Sequence, residues 1–227
     1  VGLFNLNDRG VLKYQATYHL RSNDYYSSRN YASRLIGNKL IFYTPMHLNT
    51  YGSLDDSLPA MRAWHKGADK KGFKRILPAT RIYRTDQELD MYDMSLHTVS
   101  ICDLSRPAMT CRSTAVLGPN GRVFYVSEDS VYVWVAPWGG SDKKANRSSV
   151  YSMPLDGSAP MAIKTSGSPV DQLSFLQRDG YLNVLVSADG AGDAMWRAEA
   201  KAGDLAMLRI KLDDFGDGTT AAKFRNY

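Results

Sequence analysis

Read for hydrophobicity, the chain is a succession of short apolar segments bounded by Gly, Asn, Asp and Pro, with hardly any amphipathic helical pattern longer than about two turns. The densest segment, Ser130–Gly140, reads SVYVWVAPWGG. Val131, Val133 and Val135 alternate there with Tyr132, Trp134 and Ala136, so both faces of an extended strand would be apolar. A strand wet on one side alternates apolar with polar residues. The double pattern therefore predicts an inner strand covered on both faces. The expected fold class is all-β.

Three segments repeat one design, in which an apolar pair and a tight turn lead into a strand. They are RLIGNKLIFYTP from Arg34, VLGPNGRVFYVSEDSVYVWVAP from Val116 and FLQRDGYLNVLVSA from Phe175. Their turns place Asn38, Asn120-Gly121 and Asp179-Gly180 where positive φ is tolerated. Aligning the strands on Leu40, Val123 and Leu182 gives separations of 83 and 59 residues, and Ile82 splits the first into 42 and 41. A four-stranded blade takes about 40–45 residues, so the spacing favours β-propeller-like blades of antiparallel strands, with an insertion in the last interval. The alternative is a β-sandwich, which has no reason to keep a blade-length period.

The stretch from Ser130 to Gly190 resembles a family of secreted bacterial β-propeller domains distantly related to WD40 repeats. The likeness rests on Trp138, Val150 with Tyr151, Ser166 with Gly167, Val170, Ser174 with Phe175, and Gly180 with Leu182. YYSSRNYASRLIGNKLIFYTP, from Tyr25, extends it, and the patterned motifs run from about Tyr14 to Ala188. Asp171 with Gln172 stands where the family tends to have a second Gly, and Asn183 where it has Arg. The resemblance implies a secreted or periplasmic protein, and a chain that is an incomplete part of a longer propeller.

At 227 residues the expected organisation is a single propeller-like domain or fragment, residues 1–227. The chain opens at Val1 with no signal-like segment, which fits a processed mature form or a piece of something longer. No apolar run approaches the length of a membrane span. The formal charge of +5 is a mild excess, and no nucleic-acid partner is expected from it.

Cys102 and Cys111 flank Pro107 in SICDLSRPAMTCRS, a hairpin-like spacing that permits a disulfide in an oxidising compartment; two separate buried thiols are the alternative. The exported character of the resembled family favours the bridge. Zinc lacks the necessary ligand pairs. GDGTTA at Gly216–Ala221 fits a loose dinucleotide-loop pattern, but only six residues follow it and a turn is expected. DDFGDG from Asp213 places Phe215 where a calcium loop needs oxygen, which leaves at most weak calcium binding and no expected cofactor. SDKK at Ser141–Lys144 and the sequon at Asn146–Ser148 share a loop without the helix a Ser-Lys pair requires.

His19, His47, His65 and His97 are dispersed and read as structural. Asp86, Glu88, Asp90 and Asp93 with His97 would suit carboxylate chemistry, and a solvated loop explains them as simply. RSNDYYSSRNY, with Arg21 and Arg29 among Tyr25, Tyr26 and Tyr31, would suit stacking on sugars, and packing on a sheet face is the reading preferred. The basic segment Trp64–Arg75 is expected as an exposed insertion loop carrying Lys66, Lys70, Lys71, Lys74 and Arg75, with Trp64 and Phe73 as aromatics. These five cations are the candidate ligand surface. No catalytic or metal residue is nominated. The expected function is a non-catalytic binding or scaffold protein whose partner is a protein or a cell-surface glycan; the alternative is a propeller-type hydrolase or lyase acting on a cell-surface polymer.

Overall fold

The computed structural model describes residues 1–22, 33–48, 53–87, 89–90, 92–137, 148–187 and 205–227. Trp138, the Ser141–Lys144 pair, the sequon at Asn146, Glu88, and Tyr25, Tyr26, Arg29 and Tyr31 lie outside those residues. The fold is all-β, and among the described residues no helix reaches seven residues. Likewise no helix there is long and apolar enough to cross a membrane.

Among the described residues four sheets form, none closed into a barrel. Sheet I orders β1 (Gly2–Leu6), β2 (Leu12–Leu20), β5 (Ala60–Ala63) and β6 (Lys74–Arg75). Sheet II orders β3 (Ser33–Ile36), β4 (Lys39–His47), β8 (Met94–Asp103), β9 (Thr110–Pro119) and a parallel edge strand, β7 (Ile82–Tyr83). Sheet III runs β10 (Gly121–Val126), β11 (Ser130–Ala136), β12 (Ser148–Pro154) and β13 (Met161–Thr165), and then takes β18 (Asp217–Ala221) in parallel. In sheet IV, β16 (Tyr181–Ser187) pairs on one side with β14 (Ser168–Pro169) and β15 (Phe175–Arg178), and also with β17 (Leu205–Lys211).

Strand alternation stacks these sheets face to face. In sheet II, Leu40, Phe42 and Cys102 pack with Tyr18 and Met61 of sheet I, while Ile41, Tyr43 and Val99 turn the other way onto sheet III. Val131, Val133 and Val135 of β11 meet that second face, and Tyr132 and Trp134 meet Phe175, Leu182, Val184, Leu208 and Ile210 of sheet IV. Every residue of β11 is buried. The expected doubly covered strand is therefore present; a two-layer sandwich would have left one of its faces wet.

The turns divide. Asp179 at φ 52° and Gly180 at φ 78° make the tight hairpin turn expected of them. Asn120-Gly121 makes no hairpin: with only Asn120 between β9 and β10, the chain bends there from sheet II into sheet III. A Cβ on nearby Gly118 would lie 3.3 Å from Val135 Cγ2, so a bare backbone suits this corner. Nor does the 42-residue step from Leu40 to Ile82 mark successive blades, because β4 and β7 belong to the same sheet. GDGTTA is a strand edge, β18, rather than a turn. Its neighbour Phe215 is buried against sheet IV, which explains the apolar residue inside an acidic segment.

Candidate functional site: a cationic face on sheet I

β5 and β6 are short, and the segment between them carries the basic residues. It was expected as a loop and is the connection of a small hairpin: Ala60 pairs with Arg75, Met61 pairs with Lys74, and the Ile76 amide donates to the Pro59 carbonyl at 3.0 Å. Between the strands, the Ala68 amide donates to the His65 carbonyl, and the Asp69 carboxylate accepts from the Lys71 amide at 2.9 Å, capping one turn of 3-10 helix. Lys66, Lys70, Lys71, Lys74 and Arg75 are all exposed. The structure thus brings the five predicted cations together on one hairpin.

Two further arginines complete the face: Arg62, which the sequence reading passed over, and Arg21, which it grouped with Arg29 and the tyrosines that follow. Arg62 lies opposite His19 in the β2–β5 ladder, on the side of sheet I away from Tyr18 and Met61. Its Nε and Nη2 lie 3.2 and 3.0 Å from His19 Nδ1, and its Nη1 donates to the Asp69 carbonyl. The guanidinium also sits 4.7 Å from the centre of the Phe73 ring. Arg21 stands 5.0 Å from the same ring, donates to the Leu58 carbonyl at 3.3 Å and reaches Asp56 at 3.6 Å. Half-exposed Trp64 is tied to β2 through its amide, 2.8 Å from the Thr17 carbonyl. The face therefore combines fixed guanidinium forks, free ammonium groups and an open indole, which suits an extended anion better than a point charge.

The charge of the chain is concentrated here. Segments 1–22 and 53–75, which build sheet I, hold nine Lys and Arg against four Asp. That difference equals the net +5 of the whole protein, so the remaining residues balance.

Other candidates disperse. Asp86 pairs with Lys164 at 2.9 Å, Asp90 accepts from the Tyr92 amide, and Asp93 accepts from the Asn120 amide, so these carboxylates do not converge. His47 Nδ1 lies 3.1 Å from Ser95 Oγ, and His65 sits on the basic hairpin. His97 is fully buried: Tyr43 Oη donates to its Nδ1 at 2.8 Å, while its Nε2 donates to the Pro119 carbonyl at 2.8 Å. Burial, helped by the nearby positive Arg122, lowers its pKa to about 3 and keeps the ring neutral. It bridges a sheet corner and is sealed from any substrate. Among the described residues no group of three His, Cys, Asp or Glu could hold a metal.

Cys102 and Cys111 are directly opposed on β8 and β9 and form a disulfide, their Cα atoms 4.0 Å apart. Beside it an open groove of about 720 Å³ is lined by Ile36, Lys39, Ile101, Asp103 and Arg106. Asp103 is held by Ser105 and sits 3.8 Å from Arg106, so much of this lining is already paired. Hydrogen bonds from Ser105, Ser158 and Thr219 hold Asp103, Asp156 and Asp217 below the usual carboxylate range, as a shared Asp-x-Ser/Thr turn. No protein-family model, curated protein or solved structure matches the chain.

Proposed function

We propose that this chain is an exported, non-catalytic binding scaffold built on β-propeller blades, which meets a protein or cell-surface glycan at the cationic face of sheet I. One observation carries the reading: the segments that build sheet I hold a net +5, equal to that of the whole chain, while β11 of sheet III is buried on both faces. Stacking of four antiparallel or mixed sheets supports the blade interpretation. The disulfide is compatible with an oxidising, extracytoplasmic compartment.

In mechanism such a protein does not turn over. Its stacked sheets hold an end surface rigid, and diffusing anionic partners are steered to it by the local positive potential. The test is incubation with bacterial envelope fractions and soluble cell-surface polysaccharides. The chain should sediment with an envelope component and release no reducing ends or unsaturated sugar. Accumulation of such products with enzyme-like dependence on protein concentration would replace this reading with the hydrolase or lyase one.

A further inference from the structure

We infer that the outer face of sheet I binds an acidic polysaccharide, reading its carboxylate or sulfate groups with Arg62 and Arg21 at the Phe73 ring, flanked by the exposed Lys66, Lys70 and Lys71 of the hairpin connection. The inference rests on the binding-scaffold reading and gives that scaffold a ligand class.

Three features of the geometry point the same way. First, Arg62 is immobilised by His19, the Asp69 carbonyl and the Phe73 ring, and none of these contacts is to a carboxylate. A positioned guanidinium that pairs with no carboxylate among the described residues is preorganised for an external anion, and its fork matches a carboxylate or sulfate. The nearest carboxylate partner at this ring, Asp56, belongs to Arg21, and its side chain is 81% exposed. Second, Lys66, Lys70 and Lys71 are exposed and, among the described residues, their ammonium groups make no hydrogen bond or ion pair, while the Asp69 cap fixes the turn beside them. The backbone is set and the charges remain available.

Third, the aromatic groups discriminate between polyanions. Phe73 is covered by guanidinium groups and so is a poor platform for nucleobases, which bind single strands by stacking on successive free rings. Trp64, at 51% exposure, is the one open aromatic on the hairpin, and a flat indole suits the C–H face of a sugar ring. Repeating anions on a sugar backbone satisfy the guanidinium pair, the lysines and the indole together.

Binding is measured by calorimetry or biolayer interferometry with four probes: polygalacturonate for carboxylates, dextran sulfate for sulfates, neutral dextran, and single-stranded DNA of comparable charge. At least one acidic glycan should bind, weakening steeply with salt, and neutral dextran should not. The preference between the first two probes identifies the anion. Arg62→Lys, which keeps the charge and loses the fork, should weaken binding at least about tenfold, and Lys66→Ala with Lys70→Ala and Lys71→Ala by a similar factor or more. Trp64→Ala should weaken glycan binding without changing its salt dependence. Should Arg62→Lys fail to fold, the lysine triple decides alone.

Wild-type affinity in the lysine triple, or DNA binding as tight as the better glycan, overturns the inference. If the same variants still sediment with envelope material, the scaffold reading survives with its ligand elsewhere. Catalytic release of product would remove the scaffold reading itself.

Discussion

Sheet III and sheet I are made of the same element and do opposite work. In β11 all seven residues are buried, and cross-strand neighbours such as Val133 with Phe124 and Tyr151, or Trp134 with Val123 and Val150, are apolar on both sides. In β2 the first four residues are exposed, and the hairpin it makes with β1 leaves Phe4, Leu6, Leu12 and Tyr14 largely in solvent. Sheet III stabilises the protein by taking apolar area from water on two faces. Sheet I uses one face for that purpose and gives the other to charge. The proposed binding surface therefore sits where burial is least, which is the expected place for a surface that must remain available to a partner.

The sharpest way to break this contrast is to charge the centre of sheet III. Val133 and Trp134 are both fully buried, one facing sheet II and the other sheet IV. Val133→Asp and Trp134→Asp should each abolish folding, because an unpaired buried carboxylate costs several kcal/mol against a total stability of about 5–15 kcal/mol. Circular dichroism and thermal melts decide it. Tolerance of either variant would mean that one face of β11 is wet and that the stack is misread. Asp substitutions at Leu6 and Leu12 of sheet I, each more than 60% exposed, should by contrast leave the fold intact.

The second effect is pH-dependent and belongs to the corner between sheets II and III. His97, with a folded pKa near 3 against an unfolded value of 6.5, stays neutral where the unfolded chain takes up a proton. Its contribution is thus fully present above about pH 6.5 and is lost as pH falls toward 3, amounting to a change on the order of 5 kcal/mol. His97→Phe should be less stable at neutral pH, since Tyr43 Oη and the Pro119 carbonyl lose their partner. It should nevertheless melt with a flatter pH dependence between about pH 6.5 and 4.5. Parallel slopes for the two proteins would show that the ring is protonated in the fold. Asp103, Asp156 and Asp217 are held below their usual range, so their losses come at lower pH and do not confuse this window.

Third in size is the disulfide, which joins sheet II across a sequence separation of 9 residues. Replacing both cysteines by serine should cost about 2–3 kcal/mol through the freed unfolded chain, and lower Tm by roughly 5–10 °C. Ligand binding at sheet I should not change, because the hairpin keeps its own capped turn and ladder. Loss of polyanion binding in the double variant would show that sheet I depends on sheet II for more than support.

What the sequence made legible follows from where the physics is local. The doubly apolar run of β11 announced a strand covered on both sides because side-chain alternation is a property of the strand itself. The cysteine hairpin and the Asp179-Gly180 turn were readable for the same reason. The Asn120-Gly121 corner was not: a one-residue connection can close a hairpin or carry the chain into the next sheet, and only tertiary packing decides. The spacing from Leu40 to Ile82 suggested a repeat because segments 53–75, which enter sheet I, separate two strands of sheet II. At the candidate site the five exposed cations were visible as a cluster, whereas Arg62 was hidden by distance along the chain and Arg21 was grouped with its sequence neighbours rather than with the hairpin. Arg62 meets its partner His19 from 43 residues away, and the charge imbalance appears only when residues are grouped by sheet.

The smallest expected effect is the one that most cleanly separates the two sheets. Lys66, Lys70 and Lys71 contribute charge and, among the described residues, no ion pair, so replacing them together by alanine should leave stability within about ±0.5 kcal/mol per site. Its sign is also predictable. Like charges crowded on one hairpin repel one another, and their removal relieves that repulsion, so the triple variant should melt slightly higher than the wild type at low ionic strength. Salt screens the same repulsion, and the gain should shrink as salt is added. A melt series across salt concentrations measures this directly. A variant that is less stable at every salt concentration would place the lysines in the structural part of the molecule. A small salt-sensitive gain, alongside lost polyanion binding, would show that sheet I carries its charge at the expense of stability, in contrast to sheet III.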